Sequence, residues 1–375
     1  MFDIPSVRIG RVFGIPIEIN LSWLVIFGLV AFSLATAVFP AIEESAGAPR
    51  WLFAVVGATT ALLFFASILA HELCHSLVAK AEGGSVEKIT LFIFGGVAQI
   101  DEEPRSPGKE FLMAAAGPGM SLLIAGASFY GYVALVAGGA AWWAWAPLEY
   151  LAGINLFVAL FNLLPGFPLD GGRVLRSMLW AATGDVLKAT RWASRSGQFI
   201  GWTMVVWAVV GVVGGQSGLI WFGLVGWFIA SLAGQAYRQQ LVRSRVEGVT
   251  VAEVMTPNPE YVSGDLTLDE LVHNHFLGGH HARYPVISEG SIVGLVTLPE
   301  VKSVDRADWP FVKTIDVTNR DLNALVVPSD APVEALVPRL AGDRPGALIV
   351  SGGGRLVGIV TRADVIALIE GPPSG

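Results

Sequence analysis

Long runs of apolar residues fill the first two thirds of the chain and stop near residue 240. Runs of about twenty residues, enough to cross a bilayer, fall near 20–41, 52–80, 111–138, 147–164, 197–215 and 217–235. Each predicts a spanning helix. The fourth is short and ends in Leu164-Pro165-Gly166-Phe167-Pro168, where proline's missing N–H and its clash with the preceding turn stop a helix. Two stretches depart from this pattern. Residues 7–19 alternate apolar and polar positions around Gly10 and Gly14, which reads as strand. Residues 85–100 are rich in β-branched and aromatic side chains and end in Gly95-Gly96-Val97-Ala98-Gln99-Ile100. They predict a hairpin at or in the membrane face, with glycines that allow close backbone approach.

Beyond 240 the pattern shortens and repeats. Tyr284-Pro285-Val286-Ile287 followed by Ile292-Val293-Gly294-Leu295-Val296-Thr297 is matched by Ala347-Leu348-Ile349-Val350 followed by Leu356-Val357-Gly358-Ile359-Val360-Thr361. Each block predicts paired strands and then a helical segment, over 298–304 and 362–369. Two copies at so long a period indicate a tandem module rather than a solenoid. The expected fold is therefore a polytopic all-α membrane domain over 1–240, with about six transmembrane helices and a short membrane-associated β-sheet. An α/β tandem domain follows over 241–375, with repeats at about 250–305 and 316–370.

Composition agrees with this division. Only 15% of the 375 residues are charged, against roughly 25% in soluble domains. Residues 1–245 carry a net charge of +1 and residues 246–375 a net charge of −8, and eleven of the twelve tryptophans lie in the first part. An acidic second domain excludes a nucleic-acid partner, which calls for a basic patch. Fourteen Lys and Arg flank one side of the predicted spans, from Arg8 and Arg11 to Arg243 and Arg245; the other side has Arg50 alone. The positive-inside rule then places both termini in the cytoplasm. The first twenty residues lack the continuous apolar core and cleavage site of a signal peptide. Cys74 is the single cysteine, so no intrachain disulfide forms.

The candidate chemistry lies inside the second run. His71-Glu72-Leu73-Cys74-His75 is an HExxH motif, with no charged residue between Trp51 and Ala70 and none after Glu72 until Lys80. Ionisable groups at membrane depth are rare and functional by default. On a helix His71 and His75 lie one turn apart on one face, so both imidazoles reach one Zn²⁺ while Glu72 stands beside them as a base. Catalytic zinc needs a third protein ligand and an open position. The membrane half has no other histidine, and among its carboxylates Asp170 stands out because it follows the broken fourth helix. Irregular backbone at membrane depth is tolerated where it is buried in protein or lines water. Asp170 could instead cap a helix starting near Gly172; beside HExxH, the ligand reading prevails. Cys74 points away from both histidines and reads as a small packing residue.

Taken together, His71 to His75 and Asn162, Pro165, Asp170 and Gly171 resemble the site-2 protease family of intramembrane zinc metalloproteases. The resemblance spans about 7–236 and includes Arg8-Ile9-Gly10-Arg11, Gly95-Gly96 and Ala116-Gly117-Pro118-Gly119-Met120-Ser121. It implies one zinc per chain on His71, His75 and Asp170, with Glu72 as general acid and base. It also implies Asn162 lining the site and stabilising the oxyanion, and a strand at Gly95, Gly96 and Val97 that pairs with an unwound substrate helix. Adding an extended peptide to an open sheet edge is an independent physical route to the same result, because a helical peptide bond has its polar groups engaged. Asn162 reads equally well as a capping or interhelical residue, and the small residues 116–121 read as close helix packing. The implied activity is regulated intramembrane proteolysis of a transmembrane substrate in the plasma membrane, for example a membrane-bound signalling or anti-sigma protein. A zinc transporter would need a polar path to both faces, and a non-catalytic sensor would not need Glu72.

The repeat resembles a pair of CBS domains, entered at Val254-Met255-Thr256-Pro257 and closed by Gly358-Ile359-Val360-Thr361-Arg362-Ala363-Asp364. That resemblance implies regulation of the protease by the pair, homodimerisation through it, and an adenosine nucleotide on Thr361 and Asp364. The first copy departs, with Thr297-Leu298-Pro299-Glu300. A strand-to-helix cap formed by Thr361 with Asp364 explains the same residues. His273, His275, His280 and His281 read as a solvated loop, since no ligand spacing sets them on a fixed element.

Overall fold

The computed structural model describes residues 6–93, 95–100, 104–279, 281–341 and 346–370. Among these, six helices are long and apolar enough to cross a membrane, at Leu21–Ala41, Arg50–Ala81, Pro107–Ala137, Trp142–Asn162, Val186–Val213 and Leu219–Val246. The chain separates into two units, residues 1–238 and 239–375.

The first unit opens with β1 (Ser6–Val12) and β2 (Ile15–Asn20), joined at Phe13 and Gly14. Both turn residues have positive φ, 51° and 80°, the type I′ geometry whose twist suits a hairpin. Helix α1 (Leu21–Ser33) continues through tighter and wider turns to Ala41. Helix α2 (Arg50–Ala81) has 32 residues, about 48 Å at 1.5 Å per residue. The predicted hairpin follows as β3 (Val86–Phe92) and β4 (Gly95–Ile100). The four strands form one sheet in the order β1-β2-β3-β4, parallel only between β2 and β3. Ile15, Ile17 and Ile89 are buried on the sheet face against Leu69 and Leu73 of α2. This contact fixes the sheet to the helix that carries the HExxH motif.

Helix α3 (Pro107–Ala137) holds Pro118 in its interior, and α4 (Trp142–Asn162) accommodates Pro147 near its start. After the proline-rich break comes α5 (Asp170–Thr183), which ends on the left-handed Gly184. The helix expected from about Gly172 thus begins at Asp170. Helices α6 (Val186–Val213) and α7 (Leu219–Val246) complete the set. Gly201 of α6 lies against Gly226 and Ala230 of α7 so closely that a β-carbon would strike backbone.

The second unit contains the repeat as two like sheets. The first holds β6 (Val262–Ser263) parallel to β7 (Arg283–Ser288), which pairs antiparallel with β8 (Ser291–Thr297). The second holds β9 (Val326–Pro328) parallel to β10 (Ala347–Gly352), which pairs antiparallel with β11 (Arg355–Thr361). The segments that lead into each copy cross to the other. Strand β5 (Thr256–Pro257) pairs with β11, and Asn319 bridges Leu295 of β8.

Candidate metal centre

Helix α2 builds the site by angle. At 100° per residue, His71 and His75 share a face, Glu72 lies about 100° further round, and Leu69 and Leu73 turn beyond it to the sheet. Glu72 therefore stands between the imidazoles and the strands. Both histidines are 5% exposed.

The two Nε2 atoms lie 3.2 Å apart, and Asp170 Oδ2 lies 3.2 Å from each. Asp170 comes from the first residue of α5, and its carboxylate turns to the histidines rather than capping its own helix. Among the described residues, these three form the group able to hold a metal ion.

The far side of each ring is also anchored. His75 Nδ1 donates to the Met113 carbonyl at 2.6 Å, and His71 Nδ1 is 2.9 Å from Ser121 Oγ. A carbonyl only accepts, so His75 Nδ1 carries a proton, and in the neutral ring Nε2 then presents a lone pair. That lone pair faces the other Nε2 and a carboxylate oxygen, an electron-rich triangle that suits a cation. Ligands of four-coordinate zinc, bound at about 2.0–2.1 Å, stand roughly 3.3 Å from one another. The donor set and its spacing fit that ion.

Met113, Gly117 and Ser121 are four residues apart, so one stripe of α3 underlies both rings. Gly117 is the position of closest approach. A β-carbon there would come within 2.5 Å of His71 Nε2 and His75 Cε1. Pro118 removes a helix hydrogen bond in the same turn. The sequence reading gave residues 116–121 to packing alone and missed this role. A backbone carbonyl leaves no mark in a sequence, but the i, i+4, i+8 stripe ending in a buried serine is a visible signal.

The remaining candidate residues fall as follows. Gly95, Gly96 and Val97 lie in β4, which is the outer strand of its sheet. Gly96 packs on Glu72: a β-carbon would be 2.6 Å from Glu72 Cγ. Val97 is exposed. Asn162 ends α4 and donates from Nδ2 to the Val158 carbonyl at 3.0 Å, a bond within its own helix. Cys74 is half-buried and outside the triangle.

In the second unit Asp364 Oδ2 accepts from the Thr361 amide at 2.8 Å and from its hydroxyl at 2.7 Å. Thr267 with Glu270, and Thr250 with Glu253, form the same box at other helix starts. His273 and His275 do not lie in a solvated loop. They sit in a wide helical turn, Val272–Phe276, bonded to the Asp269 carbonyl and to Glu260. The Thr267 cap starts a helix there, and the turn continues it. His281 is exposed, and His280 lies outside the described residues.

With the geometry in place, similarity to known proteins becomes informative. The profile of peptidase family M50 matches residues 59–138 and 131–204, and the CBS domain profile matches 251–305 and 315–371. A Synechocystis sp. protein that carries a zinc metalloprotease name is 35% identical, over 97% of this chain and 96% of its own. The zinc metalloprotease of Methanocaldococcus jannaschii is 30% identical, over 96% and 95%. Among solved structures, the site-2 protease of that organism aligns with 62% of this chain and 95% of its own, at 30% identity and a TM-score of 0.40.

Proposed function

The chain belongs to peptidase family M50, the site-2 protease family of zinc metalloproteases, and from that premise we propose that His71, His75 and Asp170 hold one zinc ion beside Glu72 to cleave a transmembrane substrate within the bilayer. The observation that carries this reading is the 3.2 Å triangle of ligand atoms with Glu72 between it and the outer strand.

When bound, zinc supplies Lewis acidity toward the scissile carbonyl. The chain's own residues do the rest. Glu72 takes a proton from the attacking water and returns it to the leaving amine. Met113 and Ser121 hold the two imidazoles with their Nε2 atoms inward. Strand β4 accepts an unwound stretch of substrate along Gly95, Gly96 and Val97, so that its peptide bonds are extended and accessible. One N–H of Asn162 is engaged by Val158; the second is the donor for a developing oxyanion. The N-terminus, the C-terminus and the CBS pair lie on the cytoplasmic side of the plasma membrane. The pair regulates the protease, takes an adenosine nucleotide at Thr361 and Asp364 once their capping contact opens, and joins two chains.

The test is Glu72→Gln in proteoliposomes that hold a single-span membrane substrate, with zinc content measured in parallel. Turnover falls by about 10²–10⁴-fold at unchanged zinc content. Parent-like turnover would overturn the assignment of Glu72.

A further inference from the structure

Outside the triangle, the first unit holds a buried charge cluster that the hydrolysis does not use. Glu110 of α3 is 0% exposed and Arg176 of α5 is 7% exposed. Arg176 Nε donates to Glu110 Oε1 at 2.5 Å, and Nη2 reaches the same oxygen. Arg173 Nε is 4.0 Å from it. Glu110 Oε2 is buried with no hydrogen-bond partner among the described residues. The Arg176 guanidinium also lies over the Phe167 ring, 5.4 Å from its centroid.

The location of the cluster gives it meaning. Glu110 stands one turn before Met113, whose carbonyl orients His75, on the helix that also carries Ser121. Arg176 stands on the helix whose first residue is Asp170. Phe167 belongs to the broken segment between Asn162 and Asp170. The ion pair therefore joins the helix that orients two ligands to the helix that supplies the third. Burying two charges is unfavourable, and well-packed apolar side chains of similar volume often stabilise a fold as well or better. Stability alone is then a weak reason for such a pair. Directional hydrogen bonds provide what apolar packing does not, a defined register between two helices.

We propose that Glu110 and Arg176 are positioning residues that hold Asp170 at the triangle by locking α5 to α3. The proposal rests on the zinc-site reading above. Groups that orient metal ligands change affinity by about 10–100-fold when removed. The register lock acts one step further out, so a loss of about tenfold in zinc affinity is expected.

Two variants of the full chain in detergent test this, Glu110→Gln and the double variant Glu110→Met with Arg176→Met. Zinc affinity is read by chelator competition, and melting midpoints are read with and without zinc. Both variants bind zinc about tenfold more weakly or worse, and in both the rise in midpoint that zinc produces is smaller than in the parent. The double variant, with neither member of the buried pair left behind, melts near the parent when zinc-free. Turnover falls while KM holds. Parent-like zinc affinity in the double variant would overturn the proposal. So would equal drops in the zinc-free and zinc-bound midpoints, which mark a brace and nothing more. Failure of both variants to fold would make the pair a folding requirement and also overturn it. Asp170→Ala is the control: if it keeps parent zinc affinity, the zinc-site reading itself fails, which is distinguishable from failure of the lock alone.

Discussion

Gly96 lies directly against Glu72, so close that a β-carbon on it would stand 2.6 Å from Glu72 Cγ. Strand β4 and Glu72 thus share one van der Waals surface, and on the proposed mechanism a peptide added to that strand would be brought to the carboxylate. Gly96→Ala should push Glu72 or the strand aside while leaving His71, His75 and Asp170 untouched. Turnover falls by more than about tenfold, since small misplacements of reacting groups are enough for large losses, and zinc content stays at the parent level. Kinetics with metal analysis on the same preparation checks both halves.

Gly117 has the complementary role beneath the rings. Its missing side chain is the space that His71 Nε2 and His75 Cε1 occupy. Gly117→Ala is therefore predicted to abolish stoichiometric zinc, read by metal analysis after purification. Ser121→Ala removes the partner of His71 Nδ1 and should weaken zinc by about 10–100-fold, without affecting the space under the rings. A Gly117→Ala protein with full zinc would contradict the crowding argument.

How much of this was legible beforehand depends on the kind of residue. Six apolar runs, the strand-like stretch at 7–19, the hairpin at 85–100 and the CBS repeat are periodic features, and they appear in the fold close to where periodicity puts them, except that the first stretch folds back at Phe13 and Gly14 as two strands. His71, His75 and Asp170 stood out because ionisable groups in an apolar stretch need a reason, and they meet in space. The Met113 carbonyl and the space at Gly117 did not stand out. One is backbone, and the other is the lack of a side chain in a motif that reads equally well as packing. Thr361 and Asp364 were ambiguous for a different reason: a helix cap and a ribose contact use the same residue types. Their mutual hydrogen bonds are the cap. The crossing of lead segments between the CBS copies lay beyond local pattern, because it depends on which sheet a two-residue strand joins.

At the base of the first sheet, Glu18 accepts from Ser6 Oγ at 2.7 Å and from Lys88 Nζ at 2.9 Å. These bonds tie β2 to its neighbours β1 and β3, and they hold the Glu18 carboxyl below its ordinary value of 4.5. A carboxylate with a depressed folded value stabilises the fold above its unfolded value and loses that contribution as pH falls through the folded one. The protection of amides in β1 and β2, measured as exchange relative to the intrinsic rate at each pH, should therefore be high at neutral pH and fall below about pH 4. Glu18→Gln should remove that acid-side change. A variant that keeps the full pH dependence would assign it to another group.

The paired glycines of the CBS repeat are predicted to respond unequally to the same substitution. A β-carbon on Gly294 would strike the Asn319 carbonyl oxygen and approach Thr318 Cγ2 to 2.7 Å, whereas one on Gly358 would meet the side chain of Met255. The Asn319 carbonyl is backbone, held by its bridge to Leu295, and cannot retreat without breaking that pairing. Methionine has three rotatable bonds and adapts to irregular space. Gly294→Ala should therefore destabilise its sheet by about 1–3 kcal/mol, the usual range for overpacking, and Gly358→Ala by less. Hydrogen exchange in the intact chain reads each site separately: faster exchange in β8 for the first variant, and a smaller change in β11 for the second. The opposite order would mean that the crossing of lead segments is not what these glycines accommodate.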